Sequence, residues 1–234
     1  MAIEKPLAWG HTARVFEVQR GQTLYPQATL IRKEPSTAHM ESGALTHSHH
    51  QVAHALFPEH FARIYGYETI TQGPEVMVEV GGMLDYRPID VFYMDKLPIP
   101  NDHFAYTNHT RPNSWGAKEN SCSCPQCMGH QQVHDVHRIA MSREVAKLRK
   151  AGIFVPFDDP TDWCIATDPT YGARVVFFEI EHICPDCVMH HTAQLPEERR
   201  AGLYDHIEII RRYQTHGDDP TFNHRCVRRG GEYA

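Results

Sequence analysis

Hydrophobic and polar positions alternate in the first third of the chain in a way that is typical of β-strands. The stretches ARVFEVQRG and QATLIRKEP carry strand-forming residues such as Val15, Phe16 and Ile31, and Gly21 marks the turn between them. The later stretches ARIYGYETI, EVMVEV and VFYMDKLPI have the same character. The pattern therefore predicts two strands followed, after an interruption, by three more.

The interruption has the spacing of a helix. In MESGALTHSHHQVAHALF, apolar residues recur at Leu45, Val52 and Leu56, and Pro58 ends the segment. A second helix is predicted for VHRIAMSREVAKLRKAG, which ends at Gly152 and has an apolar face made of Val136, Ile139, Ala140, Val145 and Leu148. A third is predicted for LPEERRAGLYDHIEIIRRYQ, beginning after Pro196, and the apolar strand ARVVFFEIE follows a tight turn at PTYG.

These elements predict an α+β protein with an N-terminal antiparallel sheet that carries one helix, followed by a mostly helical region. Hydrophobic residues make up 41% of the 234 residues and charged residues 22%, a composition typical of globular proteins. The net charge of −6 argues against a general binder of nucleic-acid backbones. The N-terminus lacks the pattern of a signal peptide, and no stretch is apolar enough to span a membrane, so we expect a cytoplasmic protein without membrane contacts.

Cysteine spacing predicts a structural zinc site. Two CPxC motifs supply four thiolates, from Cys124, Cys127, Cys184 and Cys187. Four thiolates complete the tetrahedral shell of zinc and leave no position for a reactive water. One ligand could instead come from another nearby side chain: Cys122, His130, His182 or His190.

Histidine is frequent, with 18 residues, and several histidines recur at helical spacing. His50 and His54 form one such set, and His130, His134 and His137 form another. Such a set shares one helix face, so it either binds a metal ion or forms a polar surface. The sequence leaves both interpretations open.

A third set of residues has the types that phosphoryl transfer requires. Gly10 opens a strand and Lys33 ends its partner strand, while Glu41 begins the following helix. Asp158 and Asp162 lie in a later loop, and Glu179 interrupts the apolar strand ARVVFFEIE, where a carboxylate needs a lysine, a metal ion or a backbone partner. Phosphoryl transfer uses a cation on the phosphates, acids that hold Mg²⁺ and an acid that orients the acceptor.

The order of these features resembles the protein-kinase-like fold, including its small relatives in phages and bacteria. LFPEHFARIYGYE resembles the family's segment between helix and fourth strand, and VFYMDKLPI resembles its hinge. The resemblance covers most of the chain and implies two lobes. Residues 1–97 would form the N-terminal lobe and hinge, and residues 98–234 a reduced C-terminal lobe with zinc-binding segments at about 109–130 and 182–191.

The resemblance also implies roles for the acidic and basic residues. Lys33 (or Arg32 in its place) would bind the phosphates of ATP below the turn at Gly10, and Glu41 would pair with Lys33. In the second lobe, Asp158 would orient an acceptor hydroxyl of a protein or small molecule, and Asp162 and Glu179 would hold Mg²⁺. The expected function is that of an ATP-dependent phosphotransferase with a zinc clasp.

Two other functions remain open from the sequence. Gly10 is followed by His11 rather than a second glycine, and Trp163 follows Asp162, which favours an inactive kinase-like protein or a zinc-stabilised interaction module. The histidine sets, the CPxC motifs and the stretch HTRPNSW would suit a zinc-containing nuclease or nucleic-acid binder, although the net acidity counts against it.

Overall fold

A computed structural model describes residues 8–9, 13–18, 30–35, 42–71, 77–80, 83–86, 88–97, 139–157, 163–168 and 170–216. Its strands are β1 (Ala8–Trp9), β2 (Ala13–Glu17), β3 (Leu30–Pro35), β4 (Ile64–Ile70), β5 (Met77–Val80), β6 (Met83–Tyr86), β7 (Ile89–Asp95), β8 (Ile153–Phe154), β9 (Trp163–Asp168), β10 (Gly172–Phe177) and β11 (His182–Ile183). Its helices are α1 (Gly43–Leu56), α2 (residues 139–150), α3 (Pro185–Thr192), α4 (Glu197–Arg200) and α5 (Leu203–His216).

The largest sheet has five antiparallel strands in the order β1-β2-β3-β7-β4. The hairpin β5–β6 is inserted before β7, and the pairs β9–β10 and β8–β11 form two small ladders of their own. Helix α1 packs against β4 and β7 on one side and against α5 on the other. The predicted α+β class, with an antiparallel sheet and several helices, is therefore confirmed.

One apolar core joins α1 to the C-terminal elements. Val52 and Ala53 of α1 and Phe61 of the following turn are buried together with residues of α2, α3, α5 and the β9–β10 hairpin. A smaller cluster under the large sheet contains Ala62, Ile64, Phe92 and Met94. Because α1 contributes to the C-terminal core, that core fixes the helix with respect to the later strands.

Three predictions about the helices are corrected by the fold. The helix predicted after Pro196 is interrupted because Gly202 adopts a left-handed conformation (φ 77°), which ends α4 just before α5 begins. Helix α3, which begins directly after Cys184, was not predicted, because the CPxC motif was interpreted as a metal-binding loop. In α2 the buried residues are Met141, Val145 and Leu148, whereas Ile139 is 68% exposed.

Within the described ranges, no helix combines the length and the apolar character that a membrane span requires.

Candidate functional site

Strand register places Lys33 on the face of the large sheet that α1 covers. Lys33 lies opposite Phe92 in the β3–β7 pair, and Phe92 lies opposite Tyr67 in the β7–β4 pair. Residues opposite each other in antiparallel strands project from the same face. Tyr67 contacts α1, because its ring lies 5.8 Å from that of His47 and close to Gly43. The side chain of Lys33 therefore points toward α1.

Arg32, the alternative to Lys33 in the sequence, belongs to the opposite face. Its guanidinium lies 2.8 Å from the carboxylate of Glu34 and 4.9 Å from the centre of the Phe16 ring. Successive residues of a strand alternate between faces, so Arg32 and Lys33 cannot serve the same site. Of the two, Lys33 is the residue on the α1 side.

Glu179 approaches Lys33 from a distant part of the chain. It follows β10 by two residues, and its Oε1 atom lies 3.8 Å from the Nζ atom of Lys33. The side chains of Lys33 and Glu179 remain 25% and 43% exposed, so both reach solvent. The sequence predicts Glu179 at the end of the apolar strand ARVVFFEIE, with a lysine, a metal ion or a backbone group as its partner. The structure ends β10 at Phe177, so Glu179 lies just past the strand, and Lys33 is a partner there.

Helix α1 carries two buried histidines, His49 and His50. Burial, and secondarily the imidazole of His182, lower the pKa of His49 to about 3. Burial also lowers the pKa of His50 to about 3, and the Lys33 ammonium is the second cause of that shift. Both rings are therefore neutral at pH 7, and Lys33 is the cation that acts on His50.

Helix α1 is held in place at its first residue. The backbone N–H of Gly43 donates to the Asp90 carboxylate at 2.7 Å, where a negative charge stabilises the helix N-terminus. A β-carbon at Gly43 would lie 2.5 Å from the Asp90 carboxylate, so the approach requires glycine. Ser42 does not cap the helix with its side chain but pairs its hydroxyl with that of Tyr213 on α5, at 2.6 Å.

The turn after α1 is anchored to β10, the strand that leads to Glu179. His60 donates from Nδ1 to the Val175 carbonyl at 2.8 Å, and the Phe177 N–H donates to the His60 carbonyl at 3.0 Å. The Arg174 guanidinium donates to the carbonyls of Pro58 and Glu59. These bonds tie the strand before Glu179 to the helix that faces Lys33, which explains how two residues 146 positions apart in sequence are brought together.

The second CPxC motif is held against Gly152. Cys184 is buried at the N-cap of α3, and its N–H donates to the Gly152 carbonyl at 2.8 Å. Gly152 has φ 86°, and a β-carbon there would lie 2.4 Å from the Cys187 β-carbon and 3.3 Å from the Cys184 β-carbon. Both cysteines therefore lie beside the same glycine. This arrangement suits half of a four-thiolate zinc site.

Two histidines that could replace a zinc thiolate, His182 and His190, pair with glutamine side chains. His182 pairs its Nδ1 atom with the Gln214 amide at 3.2 Å, and His190 pairs Nε2 with the Gln194 amide at 3.3 Å. Among the described residues, no group of three or more histidine, cysteine or acidic side chains is close enough together to hold a metal ion. The predicted residues that lie outside the described ranges are Gly10, Glu41, Cys122, Cys124, Cys127, His130, His134, His137, Asp158 and Asp162.

The histidine set on α1 was interpreted from the sequence as either a metal site or a polar surface. His54 donates from Nδ1 to the Phe61 carbonyl at 2.9 Å, so it bonds to the chain that leaves the helix. The burial of His49 and His50 was missed, and their only sequence signal was their position beside the apolar Val52 and Ala53.

Trp163, which the sequence associated with an inactive protein, is a core residue. It begins β9 and is only 4% exposed, packed in the cluster that also contains Phe177. Packing in this core is therefore a sufficient reason for a tryptophan at position 163.

Comparisons with protein-family models, with curated proteins and with solved structures found no match to this chain.

Proposed function

We propose that this protein is an ATP-dependent phosphotransferase of the protein-kinase-like class that carries a structural zinc clasp. The observation that supports this function best is the 3.8 Å approach of the Lys33 ammonium to the Glu179 carboxylate. In protein kinases, a lysine on the third strand binds the phosphates, and acids nearby bind Mg²⁺. Lys33 is on β3, and both side chains are partly open to solvent.

The residues have distinct roles in this proposal. Lys33 and Gly10 bind the nucleotide, with Lys33 on its phosphates, and Glu41 pairs with Lys33. Asp162 and Glu179 hold Mg²⁺, which neutralises charge on the phosphates when it is bound. Asp158 orients the acceptor hydroxyl. In the absence of nucleotide, Glu179 serves as the counter-ion of Lys33.

Nucleotide binding is tested by the melting temperature with Mg·ATP. We expect the wild-type protein to be stabilised by about 2.7 kcal/mol at a hundredfold excess over Kd. Lys33→Ala and Glu179→Ala should lose this stabilisation, because each removes one of the charges that binds phosphate or metal. Lys147→Ala and Glu208→Ala are matched controls on α2 and α5, where both residues form surface ion pairs, and these variants should respond like the wild type.

The outcomes separate the remaining functions. A wild-type protein that shows no shift, or variants that keep the full shift, would contradict a nucleotide site at Lys33 and Glu179. A shift without any transfer of phosphate to protein or small-molecule hydroxyls would favour the inactive, kinase-like interaction module. Binding to nucleic acid that weakens steeply as the salt concentration rises would favour a zinc-containing nuclease or nucleic-acid binder.

The zinc clasp is tested by metal content. We expect one zinc ion per chain, and we expect Cys184→Ser and Cys124→Ser to lose it because each removes one thiolate. Cys164→Ser is the matched control, since Cys164 is buried in β9 within a separate apolar cluster, and it should retain the zinc. Zinc retained by Cys184→Ser, or absent from wild-type protein purified without chelators, would contradict the clasp.

A further inference from the structure

Helix α5 contacts the second CPxC motif at two places. The side-chain amide nitrogen of Gln214 donates to the carbonyl oxygen of Ile183, the residue before Cys184, at 2.7 Å. One turn earlier on α5, the Arg211 guanidinium lies 3.1 Å from the carboxylate of Asp186. Asp186 stands between the two cysteines of the motif. The helix therefore holds the chain both directly before the motif and inside it.

Helix α5 is fixed to the rest of the protein by packing and by a hydrogen bond. Ile207 and Ile210 are fully buried in the core that joins α1 to the C-terminal elements. The Nδ1 atom of His206 lies 3.1 Å from the hydroxyl of Ser48, which belongs to α1. A site that is supported by a packed helix keeps its geometry better than a site in a loop. Contacts from α5 therefore fix the motif with respect to the core.

Gly152 holds the same peptide unit as Gln214, from its other end. The Cys184 N–H donates to the Gly152 carbonyl at 2.8 Å, and the Ile183 carbonyl accepts from Gln214. These two groups belong to one planar peptide unit, so bonding both of them fixes the orientation of its plane. That orientation sets the direction in which the backbone enters Cys184. Two bonds from distant segments thus place the first cysteine of the motif.

We propose that Gln214 is a positioning residue of the zinc clasp, which sets the second CPxC motif in its metal-binding form before zinc arrives. This inference rests on the proposed clasp, in which Cys184 and Cys187 supply two of the thiolates. The bond from Gln214 is partly buried, whereas the side chains of Arg211 and Asp186 are 34% and 63% exposed. Exposed ion pairs contribute little, so Gln214 carries most of the effect of α5 on the motif.

The Gln214 amide also determines the role of His182. A carbonyl oxygen only accepts hydrogen bonds, so the Gln214 atom beside Ile183 is the nitrogen, and this nitrogen lies 3.2 Å from Nδ1 of His182. Nδ1 therefore accepts from Gln214, and the single proton of the neutral ring is on Nε2. Neither ring nitrogen then presents a lone pair to a metal ion. His182 supports Gln214 and is not a zinc ligand.

Zinc affinity, measured by competition with a chelator, tests the role of Gln214. We expect Gln214→Met and Gln214→Glu to bind zinc about tenfold more weakly, because each removes the donor to the Ile183 carbonyl. Glutamine, methionine and glutamate have about the same helix propensity, so α5 itself should be kept. Arg211→Met is the matched control on the same helix, and it should bind zinc within about threefold of wild type. Wild-type affinity in both Gln214 variants would overturn the proposal.

The ligand-field spectrum of the Co²⁺-substituted protein tests the role of His182. Asparagine can place its side-chain oxygen near the position of Nδ1 and keep the bond from Gln214. We therefore expect His182→Asn to give the wild-type spectrum and to retain zinc. A spectrum that changes through the loss of a nitrogen ligand in His182→Asn would overturn the assignment.

A measurement on metal-free protein keeps this inference distinct from the zinc clasp. We expect the Cys184 amide to be protected from hydrogen exchange in the wild-type protein without zinc, and to exchange about tenfold faster or more in both Gln214 variants. The Ile210 amide, in the buried part of α5, should keep its wild-type protection. An unprotected Cys184 amide in the wild type would overturn the proposal. An equal loss of protection at Cys184 and Ile210 in both variants would overturn it as well, because it would show a general loss of structure.

The two measurements together separate the possible failures. Protection of Cys184 that depends on Gln214, in a wild-type protein that binds no zinc, would support the hold of Gln214 on the motif and reject the clasp. Zinc bound equally well by wild type and both Gln214 variants would support the clasp and reject the positioning role.

Discussion

The variant Gly152→Ala is expected to lose about 3 kcal/mol or more of its free energy of unfolding, because left-handed backbone strain and overpacking act together. The alanine would adopt φ 86°, and its β-carbon would lie 2.4 Å from the Cys187 β-carbon. Carbon atoms in proteins normally approach to about 3.5–4.0 Å, so the backbone has to move.

Movement at Gly152 would disturb two neighbouring interactions. The Gly152 carbonyl accepts the N–H of Cys184 at 2.8 Å, and the next residue, Ile153, pairs with Ile183 in the β8–β11 ladder. Both interactions place the CPxC motif at the start of α3. We therefore expect the variant to lose zinc as well as stability.

Two other glycines provide matched controls for backbone strain. Gly172 and Gly202 have φ values of 69° and 77°, and a β-carbon at either position would meet nothing within 4 Å. Alanine at these positions should cost about 1 kcal/mol, from the left-handed conformation alone. Chemical denaturation of the three variants measures the difference. A Gly152→Ala protein as stable as Gly172→Ala would show that the motif does not pack tightly against residue 152.

Stability is expected to fall steeply as the pH decreases from 7 to 5. His49 and His50 have pKa values of about 3 in the folded protein, whereas an unfolded histidine titrates near its ordinary value of about 6.5. Because the pKa is lower in the folded state, the unfolded chain binds protons at a higher pH than the folded protein does. The stabilisation is therefore complete above about pH 6.5 and is lost progressively as the pH falls toward 3.

The expected size follows from the same linkage. At pH 5 each of these histidines favours the unfolded state by about 2 kcal/mol relative to neutral pH, or about 4 kcal/mol together. His47, His54 and His206 have pKa values lowered chiefly by burial, and they act in the same direction. Urea denaturation at pH 7, 6 and 5 measures the loss.

Two variants test whether His49 and His50 cause the pH dependence of stability. The double variant His49→Gln, His50→Asn should lose most of the slope between pH 7 and pH 5, even if it is less stable at pH 7. His191→Gln, which changes a histidine of α3 that is not a candidate zinc ligand, should keep the wild-type slope. Any effect of low pH on bound zinc is common to all three proteins. An unchanged slope in the double variant would contradict the assignment to His49 and His50.

Local patterns in the sequence determined the main elements and several of their ends. Alternation predicted β2, β3, β4 and β7, and the 3.6-residue period predicted α1 and α2. Pro58 and Gly152 marked helix ends because proline cannot continue a helix and glycine tolerates the left-handed conformation. The residue types of the candidate site were visible for the same reason, since a lysine in a predicted strand and an acid in an apolar strand are local features.

Contacts between distant segments were decided only by the tertiary structure. The approach of Lys33 to Glu179 depends on strand register and on the turn at His60, which bonds to β10. The burial of His49 and His50 depends on α1 being covered by both the sheet and α5. The exposure of Ile139 reflects where the core ends along α2. Periodicity shows which residues share a face, but only packing determines what covers that face, because the partner surface is supplied by residues far away in the chain.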